Sequence, residues 1–435
     1  MWLSKVKYFN FRGFKEKEFS LDSPLVLLVG DNAKGKTSAL RGISMALSSW
    51  VSVFPEIGSL KYSIDDVRKI VDRENVEIPT FNPCAVSFVQ CWSKVDKGDR
   101  EPFEIDWTRQ YGSHSKIDEL KKMAKQDLRA IENGARKNLP YFGYYGTGRL
   151  WSIDKRLTEK KEKSVSRDSR YKAYQDALEA SSTEKILRRW IAKLSQAEFI
   201  EQKKSLVLAS VWTCLKKVIP DVLKVDWNPK EDDIVFEFAD GKTLPLNNLS
   251  EGQRIVASLV TDLCIRMSLL NPHLNGNARE LTTGVVLIDE IDLHLHPKWQ
   301  KRIVPDLVEL FPKIQFILTT HSPFIIQSLE GVKDARIINL DDEESPYDYT
   351  RQNHRSVEDI AEHVMNVVMP QRSERYIAMK NAAKEYFDLL KESSASEERR
   401  KLAKKKLYEL VTKYGTDNPA YAAFLESKAE STGVE

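Results

Sequence analysis

The chain is poor in cysteine, has no long apolar run and carries no surplus of one charge. Its 435 residues include four cysteines, Cys84, Cys91, Cys214 and Cys264. None forms a CxxC pair, so a cysteine-built zinc centre is not expected. Cys214 and Cys264 lie in helical, mostly apolar stretches and read as reduced, buried thiols. No apolar run approaches the roughly 20 residues that cross a bilayer. Met1-Trp2-Leu3-Ser4-Lys5 lacks the apolar core of a signal peptide. A cytoplasmic location without a membrane partner is therefore expected. Lys+Arg 67 against Asp+Glu 64 leaves a net charge of +3. That balance neither demands nor excludes nucleic acid, so local patches must decide. A hydrophobic content of 41% with 30% charged residues is ample for a folded chain with a sizeable core.

What the sequence does have is a complete phosphate-binding loop, Gly30-Asp31-Asn32-Ala33-Lys34-Gly35-Lys36-Thr37. Before it, Leu25–Val29 reads as a buried strand. After it, Ser38–Ser49 reads as a helix. That strand–loop–helix setting gives the motif its meaning: backbone N–H groups and a helix N-terminus form a concave anion site. The chain is expected to bind ATP there. Lys36 should reach the β- and γ-phosphates, and the Thr37 hydroxyl should ligate Mg²⁺.

Three downstream elements extend the site. The apolar strand Val285–Ile288 ends in Asp289-Glu290. Asp289 is expected in the Mg²⁺ shell, and Glu290 is expected to polarise the attacking water. A second buried strand, Ile314–Leu318, leads through Thr319-Thr320 to His321. That histidine either senses the γ-phosphate or caps the helix that begins near Ser322-Pro323. Leu249-Ser250-Glu251-Gly252-Gln253-Arg254 opens a helix with a serine hydroxyl and free backbone donors, a second phosphate-binding surface. One nucleotide does not need two helix ends from one chain, whereas two facing chains could share them.

The serine-glycine string resembles the signature motif of ABC-type ATPases in the RecF and structural-maintenance-of-chromosomes branch. Phe9-Asn10-Phe11-Arg12-Gly13-Phe14 ahead of the loop is similar to that branch too. The resemblance implies an α/β P-loop ATPase head built from two sequence-separated lobes, an inserted helical subdomain and a helical C-terminal region. It also implies a head-to-head homodimer, or a higher even-numbered assembly, with ATP between Gly30–Ser38 of one copy and Ser250, Gly252 and Gln253 of the other. Arg12 belongs to the same nucleotide-binding set.

Tyr144-Tyr145-Gly146-Thr147-Gly148-Arg149-Leu150-Trp151, Asp289 to Gln300 and Thr319 to Pro323 resemble the ATPase subunits of Septu-type anti-phage systems, including retron-linked forms. Those subunits work with a separate HNH nuclease, and in the retron-linked forms a reverse transcriptase and its RNA–DNA product join the partner list. Two places depart from the branch. Ala33 and Lys34 stand where small residues including glycine are usual. Tyr144–Arg149 stands where a glutamine is usual, with Gln90, at the end of an earlier strand, as the substitute metal-site residue. His294 and His296 form an HxH pair, read as interface contacts rather than a metal site.

The expected organisation is an N-terminal ATPase lobe over 1–150, a helical insertion over 151–220, a C-terminal ATPase lobe over 221–345 and a helical region over 346–435. Between Lys155 and Lys172 basic residues outnumber acids, which suits either phosphate backbones or a solvated helix face. In the tail, Tyr386, Leu389, Leu390, Leu402, Leu407 and Leu410 recur at helical spacing. They suit either a nuclease-docking surface or a cap on the chain's own core. Competing readings are a self-contained nuclease with a Toprim domain, a DNA-repair or chromosome-handling ATPase, and a transporter ATPase. Against the first, the acidic cluster Asp341-Asp342-Glu343-Glu344 reads as a loop rather than a strand-end site.

Overall fold

The computed structural model describes residues 1–72, 80–95, 103–112, 115–148, 170–179, 184–341, 356–365, 367, 374–391 and 397–414. The chain divides into two compact units, Met1–Ile360 and Ala361–Glu435.

Strands β1 (Trp2–Phe11) and β2 (Phe14–Ser20) form a hairpin. On β1, Leu3, Val6, Tyr8 and Phe11 are buried, close to the period-2 pattern of a sheet with one covered face. β3 (Leu25–Val29) is buried at every residue, as a parallel strand covered on both faces must be. It feeds the phosphate loop and α1 (Lys36–Val51). β4 (Lys69–Asp72) and β5 (Thr80–Pro83) make a separate two-stranded ribbon. β6 (Phe88–Val95) and β7 (Phe103–Gln110) complete an antiparallel sheet of order β2-β1-β6-β7. α2 (Asp118–Glu132) and β8 (Tyr141–Tyr145) follow.

The next described helices are α3 (Glu184–Glu201) and α4 (Leu206–Val218). β9 (Val222–Asn228), β10 (Asp233–Phe238) and β11 (Thr243–Pro245) form a three-stranded antiparallel sheet. Then come α5 (Glu251–Leu270), α6 (Ala278–Leu281), β12 (Gly284–Ile288), α7 (Pro297–Leu310), β13 (Ile314–Thr319), α8 (Pro323–Gln327) and β14 (Ala335–Asn339). α9 (Val357–His363) spans the boundary between the units, and the second unit contains α10 (Glu374–Lys391) and α11 (Glu397–Tyr414).

The central sheet is parallel, with order β14-β3-β13-β12-β8. Early and late strands therefore interleave: β3 lies between β14 and β13, and β8 closes the far edge. α1 packs against both this sheet and the antiparallel one, which explains why it is buried nearly all round. Two hydrogen bonds fasten it to the antiparallel sheet: Tyr8 Oη donates to the Ala39 carbonyl at 2.8 Å, and Trp107 Nε1 to the Ala46 carbonyl at 3.0 Å. A Cβ at Gly42 would stand 2.5 Å from the Tyr8 ring, so only glycine lets the helix approach. Gln315, fully buried on β13, accepts from Leu3 N and donates toward the Leu3, Leu21 and Ser23 carbonyls. It ties the N-terminal strands to the central sheet. In the second unit α10 and α11 pack together, with Ala382, Ala383, Tyr386, Ala403 and Leu407 buried. Part of the tail's apolar spacing is thus spent on this helical pair, while Leu402 stays exposed. Among the described residues no helix is long and apolar enough to cross a membrane.

Candidate nucleotide site

The phosphate loop turns on three residues with positive φ: Gly30 (141°), Ala33 (66°) and Gly35 (98°). At Ala33 the left-handed conformation costs an L-residue roughly 1 kcal/mol. Gly35 is constrained twice, because a Cβ there would also stand 2.6 Å from the Phe14 ring. Gly35 is the N-cap of α1, and no side chain caps that end. The helix's first N–H groups are left for another acceptor. Lys36 folds back, its Nζ donating to the Gly30 carbonyl at 2.7 Å and the Asp31 carbonyl at 2.9 Å. Burial pulls its ammonium below the ordinary lysine range, against the opposing pull of Asp341, Asp289, Glu290 and Asp31. Asn32, Lys34, Thr37 and Ser38 complete the loop and the first turn.

The paired acids stand beside it. Thr37 Oγ1 donates to Asp289 Oδ2 at 2.7 Å. The structure thus joins a loop hydroxyl to a carboxylate 252 positions away. Thr319, to which the sequence assigned no role of its own, aligns the acids: its Oγ1 donates to Asp289 Oδ1 at 2.6 Å and accepts from Glu290 N at 2.7 Å. The threonine at the end of one buried strand, level with the acids of its neighbour, was the available signal. Glu290 has φ 48°, a sparsely populated conformation of the kind that gathers at functional sites.

The loop after the acids is anchored to β13. Asp292 Oδ1 accepts from Thr320 Oγ1 at 2.5 Å and from His321 N at 3.4 Å. Of the two roles left open for His321, the cap is filled by its neighbour: Ser322 is the N-cap of α8 and accepts from Phe324 N.

Ser250 caps α5 in a reciprocal box with Gln253. Its Oγ accepts from Gln253 N at 3.4 Å, and its own N–H donates to Gln253 Oε1 at 3.1 Å. Gly252 has a packing role, because a Cβ there would stand 2.7 Å from the His294 carbonyl. The histidine pair finds partners within the chain. His294 Nδ1 lies 3.5 Å from Glu251 Oε2, and His296 caps α7 by accepting from Lys298 N. Among the described residues no group of three or more His, Cys, Asp or Glu could hold a metal ion.

Arg12 (φ 47°) is held by the buried carboxylate of Asp66, at 2.9 and 2.8 Å from its Nε and Nη2. Gln90 lies on β6 and donates to Asp106 Oδ2 on β7 at 2.9 Å, not to Thr37 or Asp289. Where the branch's usual glutamine is missing, the structure has a buried polar cluster. Tyr145 Oη donates to Asp262 Oδ2 at 2.7 Å, and Arg266 Nε donates to Asp262 Oδ1 at 2.7 Å. Arg266 also donates to the Ala173 and Gln175 carbonyls, while the Tyr145 carbonyl accepts from Asp289 N. One connected set therefore links α5, β8, segment 170–179 and the paired acids. Of the basic stretch, 155–169 lies outside the described residues. Arg170 is a structural staple, donating to Leu270 O, Lys137 O and Asn271 Oδ1, and Tyr171 packs on Phe54. Cys214 and Cys264 are buried free thiols, with their sulfurs 3.4 Å apart.

A family model described as an AAA domain matches residues 5–210. Another, described as an AAA domain, putative AbiEii toxin of a Type IV TA system, matches 154–327. A retron Vc95 probable ATPase of Vibrio cholerae serotype O1 biovar El Tor is 39% identical over 142 residues, 33% of this chain and 26% of that one. A retron Ec83 probable ATPase of Escherichia coli is 26% identical over 391 residues, 74% of this chain and 69% of that one. The Septu protein PtuA of Bacillus mycoides (strain KBAB4) is 26% identical over 358 residues, 81% of this chain and 42% of that one. The match thus spans about a quarter of the first relative and two fifths of the third. An SMC head bound to the C-winged helix domain of ScpA has a TM-score of 0.47 at 14% identity, covering 78% of this chain and 94% of that one. The phosphate loop, the paired acids and the capped serine-glycine turn thus stand together in a chain similar to retron probable ATPases and to Septu PtuA.

Proposed function

We propose that this chain binds and hydrolyses ATP as the ATPase subunit of an anti-phage defence complex and controls a separate HNH nuclease. The observation that carries the reading is the contact between Thr37 Oγ1 and Asp289 Oδ2. It brings the phosphate loop and the acid pair together, with Lys36 alongside. The donors suit Mg²⁺: a hydroxyl and one carboxylate, with substrate oxygens expected to supply the rest. Mg²⁺ held by Thr37 and Asp289 would neutralise charge on the phosphates. Lys36 leaves its two carbonyls to bind the β- and γ-phosphates, and the uncapped start of α1 supplies backbone donors. Glu290 orients and polarises the attacking water, and His321 contacts the γ-phosphate. Arg12, set by Asp66, faces the same nucleotide.

Ser250, Gly252 and Gln253 complete the site of a second copy in this reading, so two ATP molecules lie between two chains. Partners in the retron-linked setting are a reverse transcriptase and its RNA–DNA product, with the Lys155–Lys172 stretch as the nucleic-acid contact. Mixing two inactive variants tests the shared site. Lys36→Ala and Ser250→Arg chains should each lack ATPase activity alone. Mixed, they form one intact site per heterodimer and should regain hydrolysis. No regain would overturn the shared site. Plaque assays with the nuclease gene alongside test the defence role: both Lys36→Ala and Glu290→Gln should lose normal protection, and full protection by both would overturn it.

A further inference from the structure

The acidic run Asp341-Asp342-Glu343-Glu344 follows β14, and its first member reaches the phosphate loop. Asp341 Oδ2 accepts from Asp31 N at 2.8 Å. The peptide that supplies this N–H also supplies the Gly30 carbonyl, which accepts from Lys36 Nζ at 2.7 Å. One peptide unit is therefore gripped at both ends, by an ammonium on its carbonyl and a carboxylate on its N–H. The other oxygen, Asp341 Oδ1, lies 3.4 Å from Lys34 Nζ, and the Asp341 side chain is 8% exposed. That oxygen is buried and makes no hydrogen bond. Asn339 Oδ1 accepts from Asp341 N, and Leu340 N donates to Val29 O, so β14 and the strand entering the loop hold the carboxylate in place. A Cβ on Gly30 would stand 3.2 Å from Leu340 Cβ and 3.3 Å from Asp341 Oδ2. Lys34 is one of the two loop residues that depart from the usual small ones, and it is the lysine this acid faces.

We propose that Asp341 is a positioning residue that serves as the phosphate loop's resident counter-anion. It fixes the Gly30–Asp31 peptide and occupies Lys34 until a nucleoside triphosphate takes that lysine. The inference rests on the nucleotide-binding reading above. Two opposite effects follow from one side chain. Its acceptor oxygen presets the loop and favours binding. Its charge competes with phosphate for Lys34 and opposes binding, the more so the more charged the nucleotide.

Asp341→Asn and Asp341→Ala separate the two. Asparagine keeps an acceptor for Asp31 N–H and removes the charge, so Asp341→Asn should bind MgATP about fivefold tighter, from Coulomb energies at intermediate dielectric. ADP should gain less than ATP, and added salt should shrink the gain. Asp341→Ala loses both effects and should bind MgATP more weakly than Asp341→Asn. Adding Lys34→Met to Asp341→Asn should erase the gain. Calorimetric titration of the full-length chain measures each, with thermal melts to confirm folding. Unchanged or weaker ATP binding by folded Asp341→Asn would overturn the inference. So would equal shifts for ATP and ADP, or a gain that survives Lys34→Met. A wild-type chain that binds no MgATP would instead overturn the nucleotide reading itself.

Discussion

Two helix starts in this molecule offer the same kind of anion site but are finished differently. α1 begins at Gly35, a left-handed residue without a side chain, and its first N–H groups receive no cap. α5 begins at Ser250 and closes on itself through the reciprocal Ser250–Gln253 box. Both ends carry the helix's partial positive charge. At α1 a lysine, a hydroxyl and an acid pair are gathered round that end. The start of α5 carries its own side-chain cap, with the Gln253 N–H held by Ser250. It suits a surface that is complete before it meets a partner, whereas α1 suits one that is complete only with a ligand.

The strongest break of this comparison is Lys36→Ala. ATP affinity should fall about 100-fold, or ~2.7 kcal/mol, by equilibrium binding, and unchanged affinity would mean that Lys36 takes no part in holding the nucleotide. Next comes Glu290→Gln. It should hydrolyse ATP about 100-fold more slowly with affinity retained, from the usual size of base removal. A parallel loss of binding would reassign Glu290 to the phosphate shell. Two glycine substitutions then probe the two starts sterically. Gly35→Ala must displace Phe14 and hold a left-handed φ, while Gly252→Ala must move the His294 carbonyl. Each should lower stability by about 1–3 kcal/mol in urea melts. Only Gly35→Ala should abolish nucleotide binding by a single chain. Ser250→Ala has the smallest effect on stability, about 1 kcal/mol for a lost cap. Hydrolysis by the folded variant should nevertheless drop. Unchanged hydrolysis would leave Ser250 as a cap and nothing more.

The sequence made the two helix starts and the acid pair legible because each is a short local string with a local cause. The flanking strands β3, β12 and β13 were legible as short apolar runs. The residues missed are those whose meaning is made by distant packing. Thr319 is an ordinary threonine until β12 and β13 lie in register and set it beside Asp289. Asp341 looked like part of an acidic loop because β14, five residues ending in Asn339, is too short to stand out. Tyr145, Asp262 and Arg266 form a cluster only when α5 crosses β8, so no spacing rule announces them. The basic run misled at Arg170 because local charge suggests a free surface, while its guanidinium is spent on three acceptors, two of them in partly buried bonds.

The strand order β14-β3-β13-β12-β8 sets a schedule for how the protein comes into being. The phosphate loop is made early, but β3 has no neighbour in its sheet until β13 and β14 are made, some three hundred residues on. At typical rates of synthesis that interval is on the order of half a minute. During it the nascent chain carries the loop without the sheet that gives it shape, and the apolar segment Leu25–Val29 has no permanent cover. A truncated message would therefore yield a loop without the strands that flank it in the sheet. The sheet around the loop is closed by its last strands in chain order, so only a chain translated through β14 holds every strand that shapes the loop.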